Sequence, residues 1–303
     1  MRKYVNYLAG LGFACVFGFS FLVTKDALAA FRPFELLFLR FSLATALMGG
    51  LALLRVIRLD FRGKERRQLA LACLFQPILY FTSETFGLAA SATSTAGLVL
   101  GALPAAVAAL GALMLKERLT RPQAASLGLS VLGVALIVLR GGAAASGEGS
   151  LAGLLLLLGA LASAAFFNIY SRRASRAYTP VESTFAMMAT GAVFFGALAL
   201  AEGFVRGGSG LLERATPGAW ISVAYLGALS SVVAFFLVNF TLSRLKASQS
   251  AIFTNLTTVI SVAAGVAFRG EAFGAVELAG SVLIVLGVWG MNALGGKKEP
   301  PRA

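Results

Sequence analysis

The sequence predicts an all-α integral membrane protein: ten transmembrane helices in two inverted five-helix repeats. Three observations carry that prediction. The 303-residue chain is 58% hydrophobic and only 13% charged, with a mean hydropathy of +0.84; a soluble domain of this size cannot hide so much apolar surface. The apolar residues fall into ten stretches, each about long enough to cross a hydrocarbon core of roughly 30 Å as a helix. The last five stretches repeat the first five in weakened form. A five-helix unit that enters from one side leaves on the other, so its copy must sit upside down.

The first-half stretches cover residues 7–23, 34–54, 69–89, 93–115 and 124–139; the second-half stretches cover 151–170, 183–201, 219–242, 250–268 and 275–294. The first follows Arg2 and Lys3, as a signal peptide would. It is long, however, and ends in Lys25-Asp26 without a small-residue cleavage site, so it is read as a retained helix. The second opens on Pro33-x-Glu35. The third contains Pro77, which should kink it and free a carbonyl. The fourth runs into Glu117, and the fifth is glycine-rich. Residues 140–150 are Gly/Ala/Ser-rich and read as a short link. The domains are therefore 1–140 (first repeat), 151–294 (second repeat) and 295–303 (a cytoplasmic tail).

Three anchors tie the halves together. Leu8-Ala9-Gly10 matches Leu151-Ala152-Gly153 at an offset of 143, and Pro33-x-Glu35 matches Pro180-x-Glu182 at 147. Glu117 followed by Val131-Leu132-Gly133-Val134 matches Glu271 followed by Val285-Leu286-Gly287-Val288 at 154. The offset grows along the chain, as loop insertions require. The 34 glycines suit close helix packing in lipid.

Charge sets orientation. With the amino terminus in the cytoplasm, nineteen of the 26 Lys and Arg lie on the cytoplasmic side, six lie outside, and Arg40 lies within a span. That bias fits the positive-inside rule, with both termini cytoplasmic in the inner membrane. The net charge of +13 does not mark a nucleic-acid binder, because the charges sit between spans and not on one face. Histidine is absent, which excludes Ser-His-Asp and Cys-His catalysis and a His-ligated zinc enzyme. The two cysteines, Cys15 and Cys73, lie inside spans and make neither a disulfide framework nor a metal site. No nucleotide-binding motif is present, and no metal or cofactor is expected.

The ten spans, the two halves, the glutamate of Leu115-Lys116-Glu117-Arg118-Leu119-Thr120, its worn copy Phe268-Arg269-Gly270-Glu271 and the glycine-rich fifth span together resemble the EamA family of the drug/metabolite transporter superfamily. Pro104 also suits that pattern, though its second-half counterpart is Thr258. The resemblance covers about residues 5–294. It implies a ten-helix bundle whose central cavity is lined mainly by spans 1, 3, 4, 6, 8 and 9, and efflux or exchange of solute across the inner membrane.

Ionisable groups at membrane depth are costly and are functional candidates by default. Arg40 and Glu84 lie at similar depth on antiparallel spans and are expected to pair, either as a structural pin or as part of the pathway. Gln76, Tyr80 and Glu84 recur at i, i+4, a polar stripe on one helix face. Ser20 and Tyr225 are placed beside that stripe. Phe17, Phe21, Phe166, Phe167, Phe235 and Phe236 are candidate aromatic walls. Lys25 either snorkels or adds charge to an outer vestibule. Under the repeat, Lys25, Arg40 and Glu84 form an outer gate, and Asn168, Asn239 and Asn255 an inner one; alternatively the asparagines only bond helix to helix. Glu117 and Glu271 are read as helix caps.

The function these features point to is a secondary transporter moving a small polar or amphipathic, amino-acid-like metabolite by alternating access, outward. An organic-anion or sugar-phosphate exchanger would need Lys25, Arg40 and Lys246 to converge on one cavity. Outside transport, the alternatives are a lipid-modifying membrane enzyme or a membrane scaffold. Expected partners are a small-molecule substrate and the lipid bilayer, with no nucleic acid; the chain is expected to be a monomer or weak homodimer.

Overall fold

The computed structural model describes residues 2–115, 120–143, 150–205, 215–245, 253–271 and 273–293. Secondary structure among these is overwhelmingly helical. The elements are α1 (Arg2–Ala27), α2 (Pro33–Leu53), α3 (Arg67–Ala89), α4 in two pieces (Thr93–Leu100 and Leu103–Leu115), α5 (Arg121–Ala143), α6 (Leu151–Ala174), α7 (Pro180–Val205), α8 (Pro217–Arg244), α9 (Thr254–Arg269) and α10 (Ala275–Ala293). Seven described helices, α1 to α4 and α6 to α8, are long and apolar enough to cross a membrane, and Ala124–Gly133 and Ala275–Gly287 are shorter apolar helices. Large apolar side chains stand on the outside of the bundle; Phe204 is 91% exposed and Val193 76%. Such a surface is stable only against lipid. The chain is a multi-pass membrane protein.

Local chemistry explains where the helices start and bend. At α2, Pro33 fills the first helical position and the Glu35 carboxylate accepts the Arg32 amide at 2.9 Å. At α7, Pro180 precedes Glu182, which accepts the Thr179 amide at 2.9 Å. Both Pro-x-Glu anchors are thus helix N-terminal locks, each placing an acceptor where free amides need one. Glu182 also forms an ion pair with Lys64 at 2.8 Å and accepts the Asp60 amide at 3.0 Å. It therefore reaches the α2–α3 connection, at the opposite end of α2 from Glu35, and α2 and α7 pack antiparallel.

The expected kink in α3 is present. Pro77 has no N–H, and it pushes its predecessor out of helical geometry: Gln76 sits at φ −150°, ψ 112° within a widened turn, Leu74–Leu79. A second widened turn, Tyr225–Ala234, interrupts α8 without any proline. In α4 the break falls at Gly101–Ala102, just before Pro104. Its first piece packs on α9, and its second leans on α6 through Val107 and Ala165.

The glycines that anchor the halves are points of close approach. A Cβ on Gly10 would strike the Phe253 ring at 2.5 Å, and one on Gly153 would strike Ser91 Oγ at 2.6 Å. The pair α5 and α10 closes in the same way: Cβ atoms on Gly133 and Gly287 would sit 2.5 Å from the Gly280 carbonyl and 2.6 Å from the Ser126 carbonyl. The link expected at 140–150 is shorter than drawn, since α5 continues to Ala143. Glu117, Lys246 and the 295–303 tail lie outside the described residues.

Candidate functional site

A cavity of about 80 Å³ sits at the centre of the bundle. It is lined from α1, α3, α4, α6, α8 and α9, with Arg40 of α2 added. The α3 kink aims Gln76, Tyr80 and Glu84 into it, although Gln76 no longer follows the regular i, i+4 register. Ser20 and Asn168 also line it. Both spend a donor locally: the Ser20 hydroxyl donates to the Phe17 carbonyl at 2.9 Å and the Asn168 amide to the Ala164 carbonyl at 2.8 Å. Four of the six expected aromatic walls are here, Phe17, Phe21, Phe167 and Phe235, joined by Phe13 and Phe81. Phe166 instead stacks on Phe75 at 4.6 Å, and Phe236 packs on Phe240.

Arg40 corrects one expectation. It is fully buried, yet it makes no direct ion pair with Glu84. Its Nε donates to Ser231 Oγ and its Nη2 to Ser230 Oγ, both at 3.1 Å. Its Cζ lies 4.5 Å from the centre of the Phe81 ring and 5.4 Å from that of Phe41, within cation–π range. Glu84 accepts from the Thr85 hydroxyl at 3.1 Å. Ser230 and Ser231 lie in the widened turn of α8, which sets two adjacent hydroxyls against the guanidinium. Ser230 and Ser231 escaped the sequence reading; the signal was adjacent hydroxyls midway along an apolar span.

The other candidates lie elsewhere. The Tyr225 hydroxyl donates to the Val16 carbonyl at 2.8 Å, tying α8 to α1. Asn239 accepts from the Ser171 hydroxyl at 2.8 Å and donates to Thr184 at 3.0 Å, which binds α8 to α6 and α7. Asn255 borders a separate, almost wholly apolar cavity between α4, α9 and α10. The three asparagines are therefore not gathered into one constriction. Lys25 donates to the Ser91 carbonyl at 2.7 Å, away from the cavity; that removes one of the three cations an anion exchanger would need.

Lys25 belongs to a seam across one end of the bundle. Arg269 of α9 pairs with Asp26 of α1. Glu271 accepts the Thr93 and Ser94 amides, both at 2.7 Å, at the start of α4. Burial would push its carboxyl up, but those amides outweigh it and hold the group below the ordinary carboxylate value. Deeper in the same contact, Thr258 Oγ1 donates to the Gly97 carbonyl at 3.0 Å. This end is closed by charge-assisted and backbone bonds. Among the described residues no comparable seam joins α4 to α9 beyond the break at Gly101–Ala102.

Comparison with known proteins agrees with this architecture. The EamA-like transporter family matches residues 5–139 and again 151–293. An uncharacterized transporter of Bacillus subtilis, YcxC, is 35% identical over 94% of this chain and 92% of its own length. A probable amino-acid metabolite efflux pump of Salmonella typhimurium is 27% identical over 71% of each chain. A solved crystal structure superposes with a TM-score of 0.67 at 20% identity, covering 98% of this chain and all of that one, which bears on the fold alone. With the family matched in both halves, the chain belongs to the EamA-like transporters of the drug/metabolite transporter superfamily.

Proposed function

We propose that the protein is a secondary transporter that carries a small polar or amphipathic, amino-acid-like metabolite outward across the inner membrane. Two inverted five-helix repeats, spanning ten times with both termini in the cytoplasm, would rock about a midplane site. The observation that carries this reading is the central cavity, to which both halves contribute, closed at one end by the Lys25, Asp26–Arg269 and Glu271 contacts. The antiparallel packing of α2 on α7 and of α5 on α10 supports the inversion.

Under the positive-inside orientation the closed end is extracellular. The cavity reaches Thr254 and Thr257 in the first turn of α9 and Leu103 at the restart of α4, both toward the cytoplasmic side. The arrangement is then inward-facing, ready to load a solute for export. The names of two relatives favour the substrate class: the Salmonella efflux pump, and a probable terminal-alkyne amino-acid exporter of Streptantibioticus cattleyicolor, 27% identical over 68% of this chain. The test is counterflow of radiolabelled amino acids into proteoliposomes, with and without a pH gradient. Saturable, protein-dependent exchange is expected; its absence for every amino acid tried would remove the substrate class.

A further inference from the structure

We propose that Arg40 and Glu84 act as a split charge pair, Arg40 taking the carboxylate of a zwitterionic solute and Glu84 its ammonium, while the Phe17, Phe167 and Phe235 rings receive the apolar remainder. The inference rests on the transport reading above and assigns the chemistry of its site. A cation inside a membrane protein normally has an anion or several acceptors against it. Arg40 is 1% exposed and is held by two neutral hydroxyls, which occupy two of its five N–H groups. Glu84 is 3% exposed, and the contact that holds it is the hydroxyl of its neighbour Thr85.

The two groups line one cavity without touching. Opposite charges in a low-dielectric chamber attract strongly. Here the guanidinium is tied back to Ser230 and Ser231 and laid over Phe81, so the ion pair is left open. A ligand carrying both signs closes it from each side. A plain carboxylate would satisfy Arg40 but set a like charge before Glu84, and a plain amine would do the reverse, so selectivity comes from the repelled partner as much as from the attracted one. Gln76 and Tyr80, on the same stretch of α3 as Glu84, add neutral polar groups to the same lining.

The test uses the full-length protein in detergent and three probes of one shape: L-phenylalanine, 3-phenylpropionate and phenethylamine, with binding read by calorimetry. L-Phenylalanine should bind at least about tenfold more tightly than either single-charge analogue, the scale of one charge-assisted hydrogen bond. Glu84→Gln should erase the advantage over 3-phenylpropionate, and Arg40→Gln the advantage over phenethylamine. Arg40→Lys keeps the charge but loses the planar fork, and should weaken L-phenylalanine by about tenfold. Size exclusion and the unfolding temperature report whether each variant folds; if Arg40→Gln does not, Arg40→Lys and Glu84→Gln still decide. Equal binding of L-phenylalanine and 3-phenylpropionate would overturn the proposal. So would the failure of L-phenylalanine, L-leucine and L-methionine all to bind saturably, or folded variants that bind as wild type does. Proteoliposome flux separates the two claims: charge-selective binding without flux sinks transport alone, whereas flux indifferent to Arg40→Lys and Glu84→Gln sinks the charge pair alone.

Discussion

Helices α3 and α8 widen at the same place by different means. Under the proposed duplication Gln76 and Pro77 correspond to Ser230 and Ser231, 154 residues further on, and Phe81 corresponds to Phe235. Both helices widen at that level, and both aromatic rings line the cavity. In α3 the bend is enforced by a missing amide, and it carries Glu84 and the stripe. In α8 a serine stands at the corresponding position, the widened turn is present without a proline, and the two hydroxyls face Arg40. The backbone shape is shared while the chemistry has divided: the carboxylate stays in one copy, and neutral oxygens that restrain the opposing cation are in the other.

The largest effect should come from cutting the tie between the halves. Arg40→Ala removes a buried cation together with its two hydrogen bonds and two cation–π contacts. We expect a loss of about 2–4 kcal/mol and no solute exchange. The double variant Ser230→Ala/Ser231→Ala leaves the guanidinium in place but frees it to swing toward Glu84. It should cost less, about 1–3 kcal/mol. Thermal unfolding in detergent gives the order. If the serine variant costs as much as Arg40→Ala, the hydroxyls and not the charge carry the tie.

Next comes the bend itself. Pro77→Ala restores an N–H to α3 and lets Gln76 return to helical geometry, making α3 resemble a straight span. Because α8 keeps a widened turn without proline, stability should change by no more than about 1 kcal/mol, while exchange falls as Gln76 leaves the cavity. A spin-label distance between the two ends of α3 checks the geometry. An unchanged distance would mean that packing, not Pro77, bends this helix.

These contrasts also show what the sequence could and could not reveal. The kink was legible because proline acts through its own covalent structure. The membrane class, and the glycines at which helices approach closely, were legible because composition and spacing are enough to specify them. Six of the nine polar residues that line the cavity were legible, since a polar or charged group at membrane depth must face protein or water. The partner of Arg40 was not, because depth fixes a level in the bilayer but not an azimuth. Arg40 and Glu84 are expected at one level, and the contacts that Arg40 forms are instead to two serines in the widened turn of α8. For the same reason the sequence leaves Asn239 open between a gate and a helix-to-helix bond, and sets Tyr225 beside the stripe although it ties α8 to α1: a polar group in a span can serve a neighbouring helix as readily as a cavity, and periodicity does not distinguish the two.

A further contrast is between the sealed and unsealed ends of the α4–α9 contact. Glu271→Gln keeps the side-chain shape but turns one of the two acceptor oxygens into an NH2 donor, so one of the bonds to the Thr93 and Ser94 amides is lost and the other loses its charge; it should cost about 1–2 kcal/mol. The folded-state carboxyl titrates below its ordinary value, so its contribution is complete above the unfolded carboxylate range, near pH 4.3, and fades as pH falls through the lower folded value. Unfolding temperature measured from pH 7 downward should drop more steeply in wild type than in Glu271→Gln across that window. Parallel curves would show that the carboxylate does not hold the start of α4.

The smallest effect should come from the Asp26–Arg269 bridge. Its carboxylate side is half exposed, and exposed ion pairs contribute about 0–1 kcal/mol. Asp26→Asn should therefore leave the unfolding temperature nearly unchanged. Its effect belongs to the balance between two arrangements: a contact present only when this end is closed shifts that balance by its full energy, however small, if nothing replaces it when the end opens. A cysteine placed at Ser91, beside the Lys25 contact, should be alkylated by a membrane-impermeant maleimide up to about fivefold faster in Asp26→Asn than in the parent, the change that 1 kcal/mol allows. Equal rates, with exchange unaltered, would mean that the Glu271 cap and the Lys25 bond hold this end shut without the ion pair.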